Sequence, residues 1–195
     1  MKRIAAIPTT GDPSLLTESV ARATRSRSVR IQSRLFYPYY FFQYRLRGKR
    51  LFAKVHSRIG CTVDLISGRE ALADTPFEPR PETVSREWIL EAAITEARAR
   101  ERARSYVCAA VSMKMKWFRS VELRQERSFL YYRPFWLVAC EERDKDPVWI
   151  IVDGVSGRFH PLPLEENPRA GEMISQAIPF NGGGGCSGKQ TGKGG

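Results

Sequence analysis

The chain contains, at residues 28–70, the segment SVRIQSRLFYPYYFFQYRLRGKRLFAKVHSRIGCTVDLISGRE, and at residues 120–160 the segment SVELRQERSFLYYRPFWLVACEERDKDPVWIIVDGVSGRFH. Both have Ser-Val, a Tyr-rich run with one Pro, an apolar run, a charged turn, a second apolar run and Asp-x-x-Ser-Gly-Arg, in that order. The matched positions are Val29 with Val121, Pro38 with Pro134, Tyr40 with Trp136, Asp64 with Asp153, Gly68 with Gly157 and Arg69 with Arg158. This shared order predicts an internal repeat.

Each segment is predicted to form a β-hairpin. Its apolar runs are rich in aromatic and β-branched residues and have strand length. They are YFFQYRL (40–46) and KRLFAKV (49–55) in the first segment, and FWLVACEE (135–142) and VWIIVD (148–153) in the second. Polar residues with Gly or Asp-Pro lie between the runs and favour a turn. Because proline has no N–H, Pro38 and Pro134 are expected at a strand entry or an edge and not in a central strand.

The Asp-x-x-Ser-Gly motif predicts a tight turn in both segments. Asp64 and Asp153 can accept backbone N–H groups at the start of a type I turn. Gly68 and Gly157 supply the positive φ that leads into the next strand. The motif is therefore interpreted as a turn and not as a catalytic or binding motif.

A helix is predicted before each hairpin. In the first, Asp12 is the expected N-cap and Pro13 the first helical residue. In the second, Ser85 is expected to cap a helix over residues 86–111, whose apolar stripe changes phase between Arg98 and Arg104. Such a helix is either buried on two sides or broken at that point.

These elements predict an α+β fold of two helix-plus-antiparallel-hairpin units, packed around a shared or adjacent core. The first unit covers residues 1–75 and the second 85–180. Residues 76–84 are proline-rich and are expected to form an extended linker, and residues 181–195 a disordered, Gly-rich tail.

The order of helix, Tyr-rich strand and a strand ending in Asp-x-x-Ser-Gly-Arg resembles the PepSY-like repeat. The segment VWIIVDGVSGRFHP (148–161) carries the resemblance most closely, and CTVDLISGRE (61–70) is the weaker copy. Members of that class look like accessory or regulatory modules. The resemblance thus implies a non-enzymatic module that binds a protein or peptide partner.

The aromatic and basic residues of the central strands are the predicted partner-binding residues. They are Tyr37, Tyr39, Tyr40, Arg45, Arg47, Tyr131, Tyr132 and Trp136. Alternation along a strand places Tyr37, Tyr39 and Phe41 on one face and Tyr40 and Phe42 on the other. The formal charge of +11 favours acidic proteins or nucleic acid as partners, and basic residues bordering aromatic ones suit single-stranded nucleic acid. A nucleic-acid-binding protein is therefore an alternative.

The residues needed for catalysis or metal binding are scarce. The sequence has two histidines, His56 and His160, and four cysteines without a C-x-x-C pair, which argues against a structural zinc site. We expect no catalytic residue, no metal and no cofactor. The absence of a signal-peptide core and of a membrane-length apolar run predicts a soluble, cytoplasmic protein.

The C-terminal sequence NGGGGCSGKQTGKGG (181–195) superficially resembles a nucleotide-binding loop. Gln190 occupies the position of the Ser or Thr that such a loop needs for magnesium, and the preceding AIPFN is a poor strand. We interpret the tail as a cationic extension with one candidate reactive thiol, Cys186. A further alternative is that the folded part carries this Gly/Cys peptide for modification.

Overall fold

A computed structural model describes residues 1–10, 12–26, 28–49, 54–73, 77–114, 120–141 and 148–161. Within these residues the strands are β1 (Lys2–Ala6), β2 (Ser28–Lys49), β3 (Lys54–Asp64), β4 (Glu70–Ala73), β5 (Arg80–Val84), β6 (Ser120–Glu141), β7 (Val148–Asp153) and β8 (Phe159–Pro161). The helices are α1 (Pro13–Thr24) and α2 (Glu96–Lys114), and Arg86–Trp88 forms a 3₁₀ turn. No helix in the described ranges is long and apolar enough to cross a membrane.

All the described strands belong to one mixed sheet of eight strands. Its centre is the antiparallel pair β2 and β6, each 22 residues long, which are matched from Ser28 opposite Glu141 to Lys49 opposite Ser120. On the outer side of β2 the order continues through β3 to β4. On the outer side of β6 lie β7, followed by β8, and the start of a ribbon formed by β1 and β5.

Pro38 and Pro134 lie in the middle of the two central strands, so the expectation that they sit at a strand entry or an edge is wrong. The carbonyl oxygen of Pro38 accepts the N–H of Leu65 at 3.1 Å, and that of Pro134 accepts the N–H of Gly154 at 2.9 Å. The backbone groups of both prolines therefore point away from the β2–β6 pairing. A missing N–H at these positions leaves the central ladder intact.

Helix α2 covers one end of the sheet through a stripe of small residues. Ala99, Ala103 and Val107 are fully buried and Val111 nearly so. They recur at every fourth position, which places them on one face of the helix. This stripe packs on Phe42, Tyr44 and Leu46 of β2 and on Cys61, Val63 and Leu65 of the β3 region. Small side chains let the helix approach a surface of large ones.

Helix α1 covers the opposite end of the same face. The side chain of Asp12 accepts the N–H of Ser14 at 2.9 Å, which confirms the predicted cap, and Pro13 begins the helix. Val20 is buried with Val138, Cys140, Ile150 and Val152 of β6 and β7. We call this side of the sheet the helix face and the other side the open face.

The β1–β5 ribbon fills the middle of the helix face. Ile4, Ala6 and Val84 form a buried cluster with Phe36 and Tyr132 from the two central strands. Glu82 of β5 also forms an ion pair with Arg34 of β2. Residues 80–84, within the range expected to be a linker, are thus an ordered strand. On the open face, the ring of Phe77 packs on Phe41, Phe129 and Tyr131.

The prediction of an α+β fold made of two helix-plus-hairpin units is wrong, because a single mixed sheet with two helices dominates the molecule. The internal repeat fits it only weakly: the order β1-α1-β2-β3-β4 recurs as β5-α2-β6-β7-β8, but the helices differ in length, with 12 and 19 residues, and the strands of both halves join one sheet. The physical reason is edge pairing. A separate hairpin would leave a 22-residue strand with an open edge along its whole length, and joining β2 to β6 pairs both.

The second helix begins at Glu96 and not after Ser85, whose side chain makes no capping hydrogen bond. The phase change between Arg98 and Arg104 does not break it, because α2 is continuous there. The interruption lies earlier, where Leu90 donates its N–H to Phe36 at 3.0 Å and Ile94 donates to Leu65 at 3.0 Å. Those backbone groups are used by the sheet and are unavailable to a helix.

Candidate functional site

The turn after β3 is built around the carboxylate of Asp64. Its Oδ1 accepts the N–H groups of Ile66 and Ser67 at 2.8 and 2.9 Å, and its Oδ2 accepts the Ser67 hydroxyl at 2.6 Å. Gly68, with φ of 77°, closes the turn by donating to the Asp64 carbonyl at 2.9 Å. A further bond comes from the open face, where the Tyr37 hydroxyl donates to Oδ2 at 3.1 Å.

The turn after β7 repeats this geometry around Asp153. Oδ1 accepts the N–H of Val155 at 3.0 Å, Oδ2 accepts the Ser156 hydroxyl at 2.6 Å, and Gly157 has φ of 69°. The open-face contact differs, since Arg133 donates through Nε to Oδ1 at 2.9 Å and through Nη2 to Oδ2. Burial opposes ionisation of Asp153, but the hydrogen bonds from Arg133, Ser156 and Val155 outweigh it and lower the pKa of the carboxyl.

Both aspartates are therefore engaged in structural contacts. Each carboxylate has donors on both of its oxygens, and the low pKa of Asp153 keeps that group ionised. A general acid or base must exchange a proton near the working pH. The two turns position the sheet and provide no free acid–base pair.

An aromatic row runs along the open face. Tyr37 lies 5.2 Å from Tyr39, ring centre to ring centre, and Tyr39 stacks on Tyr131 at 5.6 Å. The row continues through Phe77, 4.6 Å from Tyr131, and Phe41, 5.3 Å from Phe77. Burial, followed by the nearby Asp64 charge, raises the pKa of Tyr39 to about 12. These hydroxyls stay protonated at neutral pH, so the row is an uncharged packing surface.

The predicted partner-binding residues do not form one surface. Tyr40 stacks on Phe42 beside α2, and Trp136 packs in the α1 cluster, so both lie on the helix face. Tyr131 and Tyr132 are only 3% and 7% exposed. Since a stacking or docking residue must present a ring to its partner, these two act in the core. Tyr37, Tyr39, Arg45 and Arg47 share the open face, as strand alternation predicts.

Arginines cluster on the open face beyond the aromatic row. Arg45 of β2 lies opposite Arg58 of β3 on one side and opposite Arg124 of β6 on the other. Arg127 places its guanidinium 4.8 Å from the ring centre of Phe129. Glu126 of β6 forms ion pairs with Arg45 and with Arg58, the latter at 3.1 Å. We call Arg45, Arg47, Arg58, Arg124 and Arg127 the basic end.

A β-bulge places Glu126 between these arginines. The register of β6 against β2 shifts where Gln43 faces Arg127 and Tyr44 faces Gln125, which leaves Glu126 without an opposite residue. An extra residue in one strand re-aims its side chain. Sequence reasoning missed Glu126, because a bulge depends on the register of two strands far apart in the chain.

The outer edge of β6 is open over its first half. β1 meets β6 only at Tyr132, and β7 pairs with it from Phe135 to Cys140. No described strand pairs with the outer side of residues 122–130. Tyr132 and Pro134 point their carbonyls outward, to Ile7 and Gly154, so alternation turns the backbone N–H and C=O of Leu130 and Ser128 outward as well. We call residues 122–130 the open edge.

Sequence reasoning did not find the open edge. It predicted an apolar strand over residues 135–142 and no single strand over 120–141, although residues 120–134 contain no glycine and only one proline. The lack of internal breakers was the available signal for one long strand. The pairing partner of such a strand cannot be read from local sequence.

Three thiols and one histidine side chain fall within the described residues. Cys61 and Cys140 are buried and Cys108 is exposed. Burial, assisted by the Glu70 charge, raises the pKa of the Cys61 thiol to about 12, so it is no nucleophile at neutral pH. Among the described residues no three His, Cys, Asp or Glu side chains could hold a metal. His56 is exposed on β3, whereas the side chain of His160, Cys186 and the whole tail 181–195 lie outside the described residues.

Comparisons of the chain with protein-family models, with curated proteins and with solved structures find no match. The resemblance to the PepSY-like repeat therefore stays a prediction. The function has to be argued from the geometry alone.

Proposed function

We propose that this protein is a binding module that captures an extended segment of a partner protein as an added strand on the open edge. The observation that carries the proposal is the set of outward backbone groups at Ser128 and Leu130 and, beyond the bulge at Glu126, at Leu123 and Gln125, for which the described residues offer no partner strand. An exposed sheet edge is a template for a further strand, and strand addition is a recurring mode of peptide recognition.

The side chains beside the open edge define what the added strand should carry. Arg124 and Arg127 lie on the open face of β6, and neither has a carboxylate within salt-bridge distance in the described part of the chain. Leu130 is 39% exposed and lies on the helix face, where the half-buried Leu123 lies farther along β6 with Gln125 and Ser128 between them. Because side chains of a strand alternate between faces, an added strand meets cations on one face and apolar surface on the other.

The matching partner is an extended segment in which acidic and apolar residues alternate. Its acidic side chains would lie next to Arg124 and Arg127, and its apolar ones next to Leu130. The net charge of +11 favours association with such an acidic segment before any specific contact forms. The charges on the edge also disfavour edge-to-edge pairing of two copies, since this would place like charges together.

The proposal is tested by fluorescence anisotropy with a labelled synthetic peptide of alternating Glu and Val. Ser128→Pro removes an outward N–H without removing a bond to β2, so the sheet is expected to persist while peptide affinity falls roughly tenfold or more. Ser128→Ala is the matched control. It removes the same hydroxyl, which accepts from Gln125 at 3.2 Å, but keeps the N–H, and it should bind as the unchanged protein does.

Two peptide controls separate strand addition from simple charge attraction. A peptide with all Glu residues in one block and all Val residues in another has the same charge and should bind more weakly, because it cannot divide its side chains between the two faces. A Lys–Val alternating peptide should not bind. Equal binding of the two Glu-containing peptides, equal affinity of Ser128→Pro and Ser128→Ala, or no binding by the folded protein would contradict the proposal.

The proposal includes a cytoplasmic setting. It is supported by the thiols of Cys61, Cys108 and Cys140, all free among the described residues, because reducing compartments keep cysteines unpaired. Fractionation of the native cell followed by immunodetection is the test. Recovery in an extracytoplasmic fraction would contradict this part of the proposal and leave the edge-binding part to its own experiment.

A further inference from the structure

The open face has a second feature, a depression of about 470 Å³ near the end of the β2–β3 pair. It is lined by Arg45, Arg47, His56, Ser57 and Arg58. Strand register brings these residues together, since Arg45 lies opposite Arg58 and Arg47 lies opposite His56. The depression lies over β2 and β3, and its link to the open edge is Glu126, a residue of that edge that pairs with two of its arginines.

The acids around this depression pair with only part of its positive charge, and Glu122, which lies opposite Arg47 on β6, is not within salt-bridge distance of that arginine. Cations directly opposite one another across two strands repel. Glu126 is the carboxylate that pairs here with Arg45 and Arg58, whereas Arg47 and His56 have none within salt-bridge distance among the described residues. One carboxylate thus serves a cluster in which three guanidinium groups converge.

Glu126 also leaves most donors of the cluster free. A guanidinium has five N–H groups. Arg58 gives its Nε to Glu126 at 3.1 Å, and Arg45 uses an Nη2. The remaining N–H groups of both have no described acceptor, so they can turn toward the depression. The Glu126 carboxylate holds the guanidinium groups of Arg45 and Arg58 in place. Because these side chains are already ordered, they lose less conformational entropy when they bind a ligand.

We propose that this depression is a binding site for a phosphate group. A phosphate monoester or pyrophosphate has more than one negative charge and several acceptor oxygens on one small centre, which suits guanidinium groups converging from neighbouring strands. Arg47 and His56 complete the ring of donors. The site takes either a small phosphorylated molecule or a phosphorylated side chain of a protein, and both present the same chemistry.

Isothermal titration with inorganic pyrophosphate tests the site on the full chain. Arg47→Gln removes an exposed cation that supports no described contact, so the fold is expected to persist and affinity to fall roughly tenfold. Arg22→Gln on α1 removes the same charge elsewhere and is expected to leave affinity unchanged within about twofold. Thermal unfolding of both variants verifies that each is folded.

A further ligand distinguishes a phosphorylated protein from a small phosphorylated molecule as the source of the phosphate. Tighter binding of a phosphoserine peptide than of pyrophosphate would assign a protein source, and the reverse would assign a small molecule. Equal losses in Arg47→Gln and Arg22→Gln, or no pyrophosphate binding, would overturn the site. So would preferential, steeply salt-dependent binding of a single-stranded oligonucleotide, which would indicate a backbone track. None of these results changes the outcome of the Ser128 experiment, so the two proposals fail separately.

Discussion

The turns at Asp64 and Asp153 share most of their internal hydrogen bonds but are held to the sheet differently. Each aspartate accepts a backbone N–H two residues ahead and a serine hydroxyl three residues ahead. The Asp64 carboxylate then meets the neutral hydroxyl of Tyr37, whereas Asp153 meets the guanidinium of Arg133. Tyr37 and Arg133 are directly opposite each other on β2 and β6. Hydrogen bonds between neighbouring residues form each turn, whereas a residue of a central strand determines whether the aspartate meets a neutral or a charged group.

The largest difference between the turns is expected on removing each carboxylate. Asp153→Ala leaves the guanidinium of Arg133, itself only 31% exposed, without its counter-ion, and should destabilise the protein by about 3 kcal/mol. Asp64→Ala loses the turn bonds and a neutral hydroxyl contact, for about 2 kcal/mol. Urea unfolding of both variants measures the comparison. Equal losses, or a greater loss at Asp64, would show that the Arg133 pair contributes nothing beyond the turn.

The two turn glycines should give a smaller difference. Both have positive φ, so an alanine at either costs about 1 kcal/mol in backbone strain. A Cβ at Gly157 meets no atom within 4 Å, but one at Gly68 meets the Arg102 guanidinium at 3.4 Å, which pairs with Glu70 at 2.7 Å. A contact of 3.4 Å is of ordinary van der Waals length, so the two variants are expected to lose nearly the same stability in thermal unfolding, with any small excess at Gly68 coming from a shift of Arg102. A greater loss in Gly157→Ala would argue against the Arg102 contact.

The smallest effect is a pH dependence at one turn. Because the folded-state pKa of Asp153 is lowered, its contribution to stability is present above the unfolded-state value of about 4 and is lost as pH falls through the folded pKa. In Asp153→Asn this part of the acid destabilisation should disappear. Unfolding free energies of the two proteins at neutral pH and near pH 3 give the difference, and identical pH profiles would contradict the prediction.

Features set by neighbouring residues were predictable from the sequence. The cap at Asp12 and the positive φ of Gly68 and Gly157 depend on contacts a few residues away. The division of Tyr37, Tyr39 and Phe41 from Tyr40 and Phe42 follows from strand periodicity alone. Of the predicted binding residues, Arg45 and Arg47 lie in the proposed phosphate site. They share a face of β2 because they are two residues apart on one strand.

Features set by long-range pairing were not predictable. The union of β2 with β6 joins residues as far apart in the chain as Ser28 and Glu141, and nothing in either segment specifies that partner. The late start of α2 follows from Leu90 and Ile94 donating to distant strands. The burial of Tyr131 and Tyr132 and the ion pairs of Glu126 depend on the same register. An open edge exists where no other strand pairs with a given strand. The local sequence pattern of a strand does not show which strands will pair with it.

Hydrogen–deuterium exchange at the amides of Ser128 and Leu130 tests the central claim most directly. These N–H groups point outward from β6, so they should exchange quickly in the free protein, while the amide of Phe129, which faces β2, should be protected. Adding the alternating Glu–Val peptide should slow exchange at Ser128 and Leu130 and leave Phe129 unchanged. Slow exchange at Ser128 and Leu130 without peptide, or no change on its addition, would contradict strand addition at the open edge.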